Sequence, residues 1–420
     1  MDLLGDLEAR GLLHDSTDRA ALEARLRSPV TLYLGFDPTA DSLHIGNLVG
    51  LVVLRRFLQA GHRPIALAGG ATGMIGDPSG RSEERNLLDE AALRHNVEAI
   101  KAQLARVLGP EGLWELADNN DWTKDVSVLA FLRDVGKHVT VNQMVAKESV
   151  KVRMEGEHGI SFTEFSYMLL QANDYWWLHE NKGCELQVGG SDQWGNILGG
   201  VDLVRRRSQA SVHALCWPLL TAPDGTKLGK SAGARVWLDP ARTSPFELFQ
   251  HFMQVDDSRV RQQLCWFTLL ELEVIDEIVA EHTREPTRRL AQRALAREVT
   301  SLVHGDAEAL RADEASSVAF RSSLDGAALR ALEGNVPTTI LALASLPRLA
   351  TELFAEAGLA ASKSAAARLV SGGGAYLNDV AVGDVEEVVD AAALVEGRWA
   401  LLRSGKRNRH LLVFEATPRS

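Results

Sequence analysis

Apolar positions in the first 220 residues change period several times, and each change predicts an element. The opening stretch reads as helix to about Arg27. Thr31-Leu32-Tyr33-Leu34-Gly35-Phe36 is apolar and rich in β-formers, a short buried strand. Asp37-Pro38-Thr39-Ala40-Asp41 carries turn chemistry. Ile45, Leu48, Val49, Val52, Val53 and Phe57 then recur at helical spacing until Gly61, and residues 64–70 form a second strand. Strand, loop, helix and strand within 40 residues predict a right-handed βαβ unit with parallel strands. Further strands are expected at 185–188 and 212–217. This alternation predicts an α/β domain with a doubly wound, Rossmann-like parallel sheet.

From 244 to about 332 the pattern is helical throughout, and Gly334-Asn335-Val336-Pro337 reads as a linker. Beyond it come helices at 349–354 and 364–369 and short strands at 375–377, 380–382 and 411–413, a small α+β module. With 420 residues the chain is too long for one core, and the expected division is 1–240, 241–335 and 336–420.

Apolar residues make up 45% and charged residues 24%, a globular composition. No apolar run reaches the ~18 residues of a membrane span. Asp2 and Asp6 stand where a signal peptide carries bases, so a cytoplasmic protein without membrane attachment is expected. Cys184, Cys216 and Cys265 are scattered and form no CxxC pair, which predicts buried thiols and no protein-held metal.

The net charge of −11 argues against a nucleic-acid partner until its distribution is considered. From Arg348 onward nine basic residues balance nine acidic ones, so the whole excess of acid lies before that point. Between Arg398 and His410 there are five basic residues and no acids, a pattern that fits a polyanion.

Two motifs carry the candidate chemistry. His44-Ile45-Gly46-Asn47 falls at the start of the first crossover helix, where free N–H groups and the helix dipole favour phosphate. Lys227-Leu228-Gly229-Lys230-Ser231 puts two lysines three residues apart on a glycine-flanked loop, suited to engaging a departing polyanion in the transition state. Together they form the signature of the class I aminoacyl-tRNA synthetases. The stretches Tyr33 to Asn47, Gly70 to Gly80, Ser161 to Tyr167 and Gln187 to Asn196 closely resemble the bacterial tyrosyl-tRNA synthetase family.

The resemblance spans the chain. It implies Tyr33 and Asp174 at the phenol of L-tyrosine, and Asp77, Tyr167 and Gln171 around its ammonium, with Gln187 nearby. Gly35, Asp37, Thr39, His44, Asn47, Asp192, Gln193 and Lys230 would bind ATP, which brings Mg²⁺ with it. Catalytic charge stabilisation would come from His44, Asn47, Lys227, Lys230 and Ser231, with Arg81 and Arg85 closing over pyrophosphate. Asn47 replaces the second histidine of the general class I motif, and Arg81 stands where lysine is common; both keep a hydrogen-bond donor, with altered geometry.

The C-terminal segment, from Ser362-Lys363-Ser364 through Arg368 to Gly373-Gly374-Ala375-Tyr376, resembles an S-four-like RNA-binding domain. That likeness implies tRNA contact by Lys363, Arg368, Lys406, Arg407 and Arg409. The region from Phe131 through Phe162 resembles the family's dimer interface, implying a homodimer. The activity implied is ligation of tyrosine to its tRNA through a tyrosyl-adenylate. A tryptophan ligase would share the fold but not the Tyr33–Asp174 pair. A small-molecule nucleotidyltransferase would not need the C-terminal module.

Overall fold

The computed structural model describes residues 2–79, 88–110, 112–156, 159–219, 235–319, 326–333, 336–405 and 408–416. The chain forms two units, one from Met1–Thr243 with Asp256–Ala291 and the other from Ser244–Val255 with Gln292–Ser420.

In the first unit the expected opening helix is broken. Gly11 takes a left-handed φ of 70°, ending α1 (Leu3–Ala9), and Asp18 caps α2 (Arg19–Arg25). Between them lies β1 (Asp15–Ser16), which pairs antiparallel with β6 (His213–Trp217). The other strands are β2 (Thr31–Phe36), β3 (Arg63–Ala68), β4 (Glu115–Asp118) and β5 (Cys184–Gly190). The sheet order is β1-β6-β5-β2-β3-β4, parallel except at β1. Strand β4 escapes the sequence pattern because Glu-Leu-Ala-Asp is short and polar, as an edge strand can be.

The helix α3 (Ile45–Gln59) buries nearly its whole apolar surface, including Leu48, Val52, Val53 and Phe57. It is followed by α4 (Glu90–Leu108) and by the short helices α5 (Asn120–Thr123), α6 (Val128–Asp134), α7 (Val141–Val145) and α8 (Glu148–Glu155). The long α9 (Phe162–Lys182) ends on Gly183, whose φ of 61° suits a left-handed cap. A buried ion pair between Arg153 and Glu164, at 2.7 Å, ties α8 to α9. The helix α10 (Trp194–Ser208) completes the α/β layer, and Tyr33, Ile65, Leu67, Tyr175, Leu178 and Val204 share a core. After α11 (Pro245–Met253), which belongs to the second unit, α12 (Asp257–Phe267) and α13 (Leu272–Arg284) return to the first. Chain connections leave β2 toward β3 on one side and β5 on the other, so the sheet's switch point lies between β2 and β5.

The second unit contains α14 (Leu290–His304), α15 (Asp306–Ala319) and α16 (Gly326–Leu332). Seven short strands follow where three were expected: β7 (Thr338–Ala342), β8 (Arg348–Leu349), β9 (Ala375–Leu377), β10 (Val380–Ala381), β11 (Val388–Val389), β12 (Trp399–Ser404) and β13 (Asn408–Glu415). They form a five-stranded sheet, β10-β9-β12-β13-β7, and a β8–β11 pair. One sheet face sends Trp399, Leu401, Leu411 and Val413 into a core with Phe246, Ala315, Leu329 and Leu332. The alternate positions Leu402, Leu412 and Phe414 pack with α17 (Ala350–Glu356) and α18 (Lys363–Ser371). Of the expected linker, Gly334 and Asn335 lie outside the described residues. Val336 is buried in the first of these cores, and the Pro337 carbonyl accepts from the Leu411 amide at 2.9 Å. This stretch is packed, because β7 must lie against β13.

All three cysteines are buried free thiols. No helix among the described residues is long and apolar enough to cross a membrane.

Candidate active site

The C-terminal ends of β2, β3 and β5 open onto a cavity of about 340 Å³. Thirteen of the residues singled out from sequence line it: Tyr33, Gly35, Asp37, Thr39, His44, Asn47, Asp77, Tyr167, Gln171, Asp174, Gln187, Asp192 and Gln193. Arg81, Arg85, Lys227, Lys230 and Ser231 lie outside the described residues, as do Lys406 and Arg407.

At one wall stand Tyr33, from β2, and Asp174, from α9, exposed by only 1% and 2%. Asp174 is gripped from both sides: Asn119 Nδ2 donates to Oδ2 and Trp122 Nε1 to Oδ1, each at 2.9 Å. Burial pushes the Asp174 carboxyl up to about 7, against the pull of those two donors. Burial, with the neighbouring Asp174 charge, also raises the Tyr33 phenol well above its usual range. The Tyr33 hydroxyl has no hydrogen-bond partner, and neither do the buried side-chain oxygens of Gln171 and Gln187. Buried polar atoms are normally satisfied, and an orphan costs about 1–3 kcal/mol. Unsatisfied polar atoms on the walls of one cavity mark it as built to receive a polar ligand.

The residues expected at amino acid and nucleotide interlock. Tyr167 Oη donates to the Asp37 carboxylate, at 3.2 Å to the nearer oxygen, and Thr72 Oγ1 donates to the same group at 3.2 Å. Gln193 Nε2 donates to Asp77 Oδ2 at 2.7 Å, while the Ser79 amide donates to Oδ1 at 2.9 Å. Gln193 Oε1 in turn accepts from Gln171 Nε2 at 3.4 Å. Gly35 faces open space, whereas a Cβ on Gly69 would come within 2.5 Å of Asp37 Oδ1 and Thr72 Oγ1. Glycine at 69 therefore lets Asp37 reach its partners.

The His44–Asn47 motif is also a helix cap. His44 Nδ1 accepts from the Gly46 amide at 3.0 Å, and Asn47 Oδ1 accepts from the His44 amide at 3.1 Å. This reciprocal box shows why asparagine works here: it completes the cap. Backbone pairing of residues 43–45 with 236–238 lays Trp237 edge-on to His44, ring centroids 6.3 Å apart.

Asn119, Trp122, Thr72, Ser79 and Asn196 were not singled out from sequence. Asn119 and Trp122 follow β4, the strand whose polar sequence conceals it. Thr72, Ser79 and Asn196 lie inside the motifs, where nothing in the sequence sets them apart from the charged residues beside them.

The expected tRNA-contacting residues are in the second unit. Arg368 is exposed, whereas Lys363 pairs with Glu352 at 2.7 Å. Arg409 is half-buried, which lowers its pKa. The basic run is less bare than its sequence suggests. Arg398 pairs with Glu333 and Glu415, and Arg403 with Asp379 at 3.0 Å. These acids come from elsewhere in the sequence and are brought alongside by the sheet.

Residues 25–321 match the model of the family "tRNA synthetases class I (W and Y)". Residues 329–412 match "Tyrosine–tRNA ligase SYY-like C-terminal domain". A tyrosine–tRNA ligase from Opitutus terrae is 51% identical over 97% of this chain and 98% of that protein. Another, from Roseiflexus castenholzii, is 48% identical over 98% of this chain and 99% of that protein. The crystal structure of a C-terminally truncated mitochondrial tyrosyl-tRNA synthetase from Aspergillus nidulans covers 76% of this chain and 94% of its own. It superposes with a TM-score of 0.68 at 35% identity. The chain belongs to the class I tRNA synthetases, in the tyrosine–tRNA ligase family.

Proposed function

We infer that this protein ligates L-tyrosine to its tRNA in two steps, with ATP as co-substrate and Mg²⁺ accompanying it. The tyrosine carboxylate attacks the α-phosphate of ATP, forming tyrosyl-adenylate and releasing pyrophosphate. A terminal ribose hydroxyl of the tRNA then attacks the aminoacyl carbonyl and displaces AMP. No covalent enzyme intermediate is needed, so catalysis comes from positioning and charge stabilisation.

The observation that carries the residue assignment is the orphaned Tyr33 hydroxyl beside the doubly braced Asp174. A phenol O–H donates to Asp174 and accepts from Tyr33; phenylalanine offers neither bond. Asp77, Tyr167 and Gln171 surround the ammonium, with Gln187 nearby. His44 and Asn47, at the start of α3, face the phosphates together with Asp37, Thr39, Asp192 and Gln193. Lys227, Lys230 and Ser231, with Arg81 and Arg85, neutralise the leaving pyrophosphate. The region from residue 336 onward serves as an RNA-contacting module of S-four-like type, and the region 241–335 before it also contacts tRNA.

A homodimer is supported by apolar side chains left exposed on α6 and at the start of α9. Leu129 and Phe162 are exposed by 80% and 77%, and Val128 and Leu132 lie alongside in sequence. With bacterial proteins as its relatives, the cytoplasm is the proposed site of action. The test is exchange of pyrophosphate into ATP with tyrosine, tryptophan or phenylalanine, followed by tRNA charging. Exchange with tryptophan rather than tyrosine would overturn the reading.

A further inference from the structure

We propose that Trp177 is a positioning residue for amino-acid selection: stacked on Trp122, it fixes the indole N–H that holds Asp174 in place against the substrate hydroxyl. This rests on the reading of Asp174 as the acceptor for the phenol.

Trp177 lies three residues after Asp174 on α9, so the two share a helix face. Its ring lies 4.1 Å from that of Trp122, with the planes only 9° apart. Trp122 belongs to α5, a single turn without a side-chain cap, so its own backbone does little to fix the indole. The stack supplies that restraint by pinning the plane in which the Nε1–H points. That N–H meets Asp174 Oδ1 at 2.9 Å, while Asn119 holds Oδ2. A carboxylate has about four acceptor positions, and these two donors occupy one on each oxygen, leaving the rest for the cavity. Without the stack the indole can tilt, the carboxylate can turn, and the substrate hydroxyl loses an aimed, charged acceptor. Trp176, next in sequence, has a different job: its face lies 3.3 Å from the Arg207 guanidinium and its N–H donates to Ser208 at 3.0 Å.

The sequence shows Trp177 only as one of two adjacent tryptophans in an apolar helix, and a packing role alone would have no bearing on selectivity. The experiment measures tyrosine- and phenylalanine-dependent pyrophosphate exchange, with melting temperature, for the full chain and for W177A, W177F and D174A. W177A is expected to lose about tenfold of the tyrosine preference in kcat/KM, on the scale of one weakened charge-assisted hydrogen bond. The loss appears in KM for tyrosine while KM for ATP is unchanged, and W177F, which retains a stacking ring, recovers most of it. If W177A does not fold, W177L takes its place. An unchanged preference, or an equal loss for both amino acids, overturns the proposal. D174A separates the two levels. If D174A keeps the preference, the phenol-site reading itself fails; if only W177A keeps it, the role of Trp177 alone falls.

Discussion

Polar groups around the cavity of the first unit are buried, and several face the void without partners: the Tyr33 hydroxyl and the side-chain oxygens of Gln171 and Gln187. In the second unit the charged groups answer one another near the surface, Arg398 with Glu333 and Glu415, Arg403 with Asp379, Lys363 with Glu352. The first arrangement concentrates selectivity in a few atoms, because leaving a buried donor or acceptor unmade costs about 1–3 kcal/mol. The second spreads affinity thinly, since an exposed ion pair contributes only about 0–1 kcal/mol and can yield to a phosphate at little cost. Under the proposed function, the first region discriminates between small molecules differing by a single hydroxyl. The other suits a large polyanion held by many weak, salt-sensitive contacts.

The contrast breaks most readily at Asp174. Asp174→Ala should erode the tyrosine-over-phenylalanine preference by roughly tenfold to a hundredfold, the 1.5–3 kcal/mol of a charge-assisted bond, with KM for ATP little changed. Acid should do part of the same work. With the carboxyl raised to about 7, its ionised fraction falls roughly tenfold for each unit of pH below that value. The preference should therefore decline from pH 8 to pH 6, and a profile flat across that range would remove Asp174 as the titrating acceptor. Stability should run the other way. A carboxyl whose folded value lies above its ordinary 3.8 stabilises the fold at low pH, and that contribution is lost as pH rises from 3.8 through about 7.

Tyr33→Phe removes a neutral partner and should cost about 0.5–1.5 kcal/mol of tyrosine selectivity, a few-fold to tenfold in kcat/KM. In the second unit, Arg403→Ala removes a side chain only 16% exposed that pairs with Asp379 and lies over the Tyr376 ring, so it should cost about 1 kcal/mol of stability, and it should flatten the salt dependence of tRNA binding by about 0.7–0.9 in slope. A selectivity change from Arg403→Ala would erase the distinction between the two regions.

The sequence shows the catalytic half more fully than the C-terminal half, for a physical reason. Strands β2, β3, β5 and β6 are apolar runs buried in a parallel sheet, and glycine-rich turns punctuate them, so pattern and structure agree. Strand β4 is polar and sits at an edge, which hides both the strand and the Asn119 and Trp122 it delivers. The cavity walls were legible because motif residues converge there, whereas their bracing is a matter of tertiary contact. In the second unit, β7 is defined by pairing with β13, far along the chain, and β12 is held between β9 and its hairpin partner β13. The stretch that reads as a linker is held by that pairing, with Val336 in a core shared by Leu329, Leu332 and Trp399. A cut after residue 335 would split this core and leave Leu329 and Leu332 without the strands that cover them. Arg398 and Arg403 read as unopposed in the sequence because Glu333 and Asp379 are not their neighbours there.

The central claim is that Tyr33 and Asp174 read the same substrate hydroxyl. A double-mutant cycle tests it: Tyr33→Phe, Asp174→Ala and the pair, each scored by tyrosine-over-phenylalanine kcat/KM in pyrophosphate exchange. The account predicts strong coupling, with the double variant scarcely less selective than Asp174→Ala alone. Losses that simply add would mean that the two groups act on different parts of the ligand, and would contradict it.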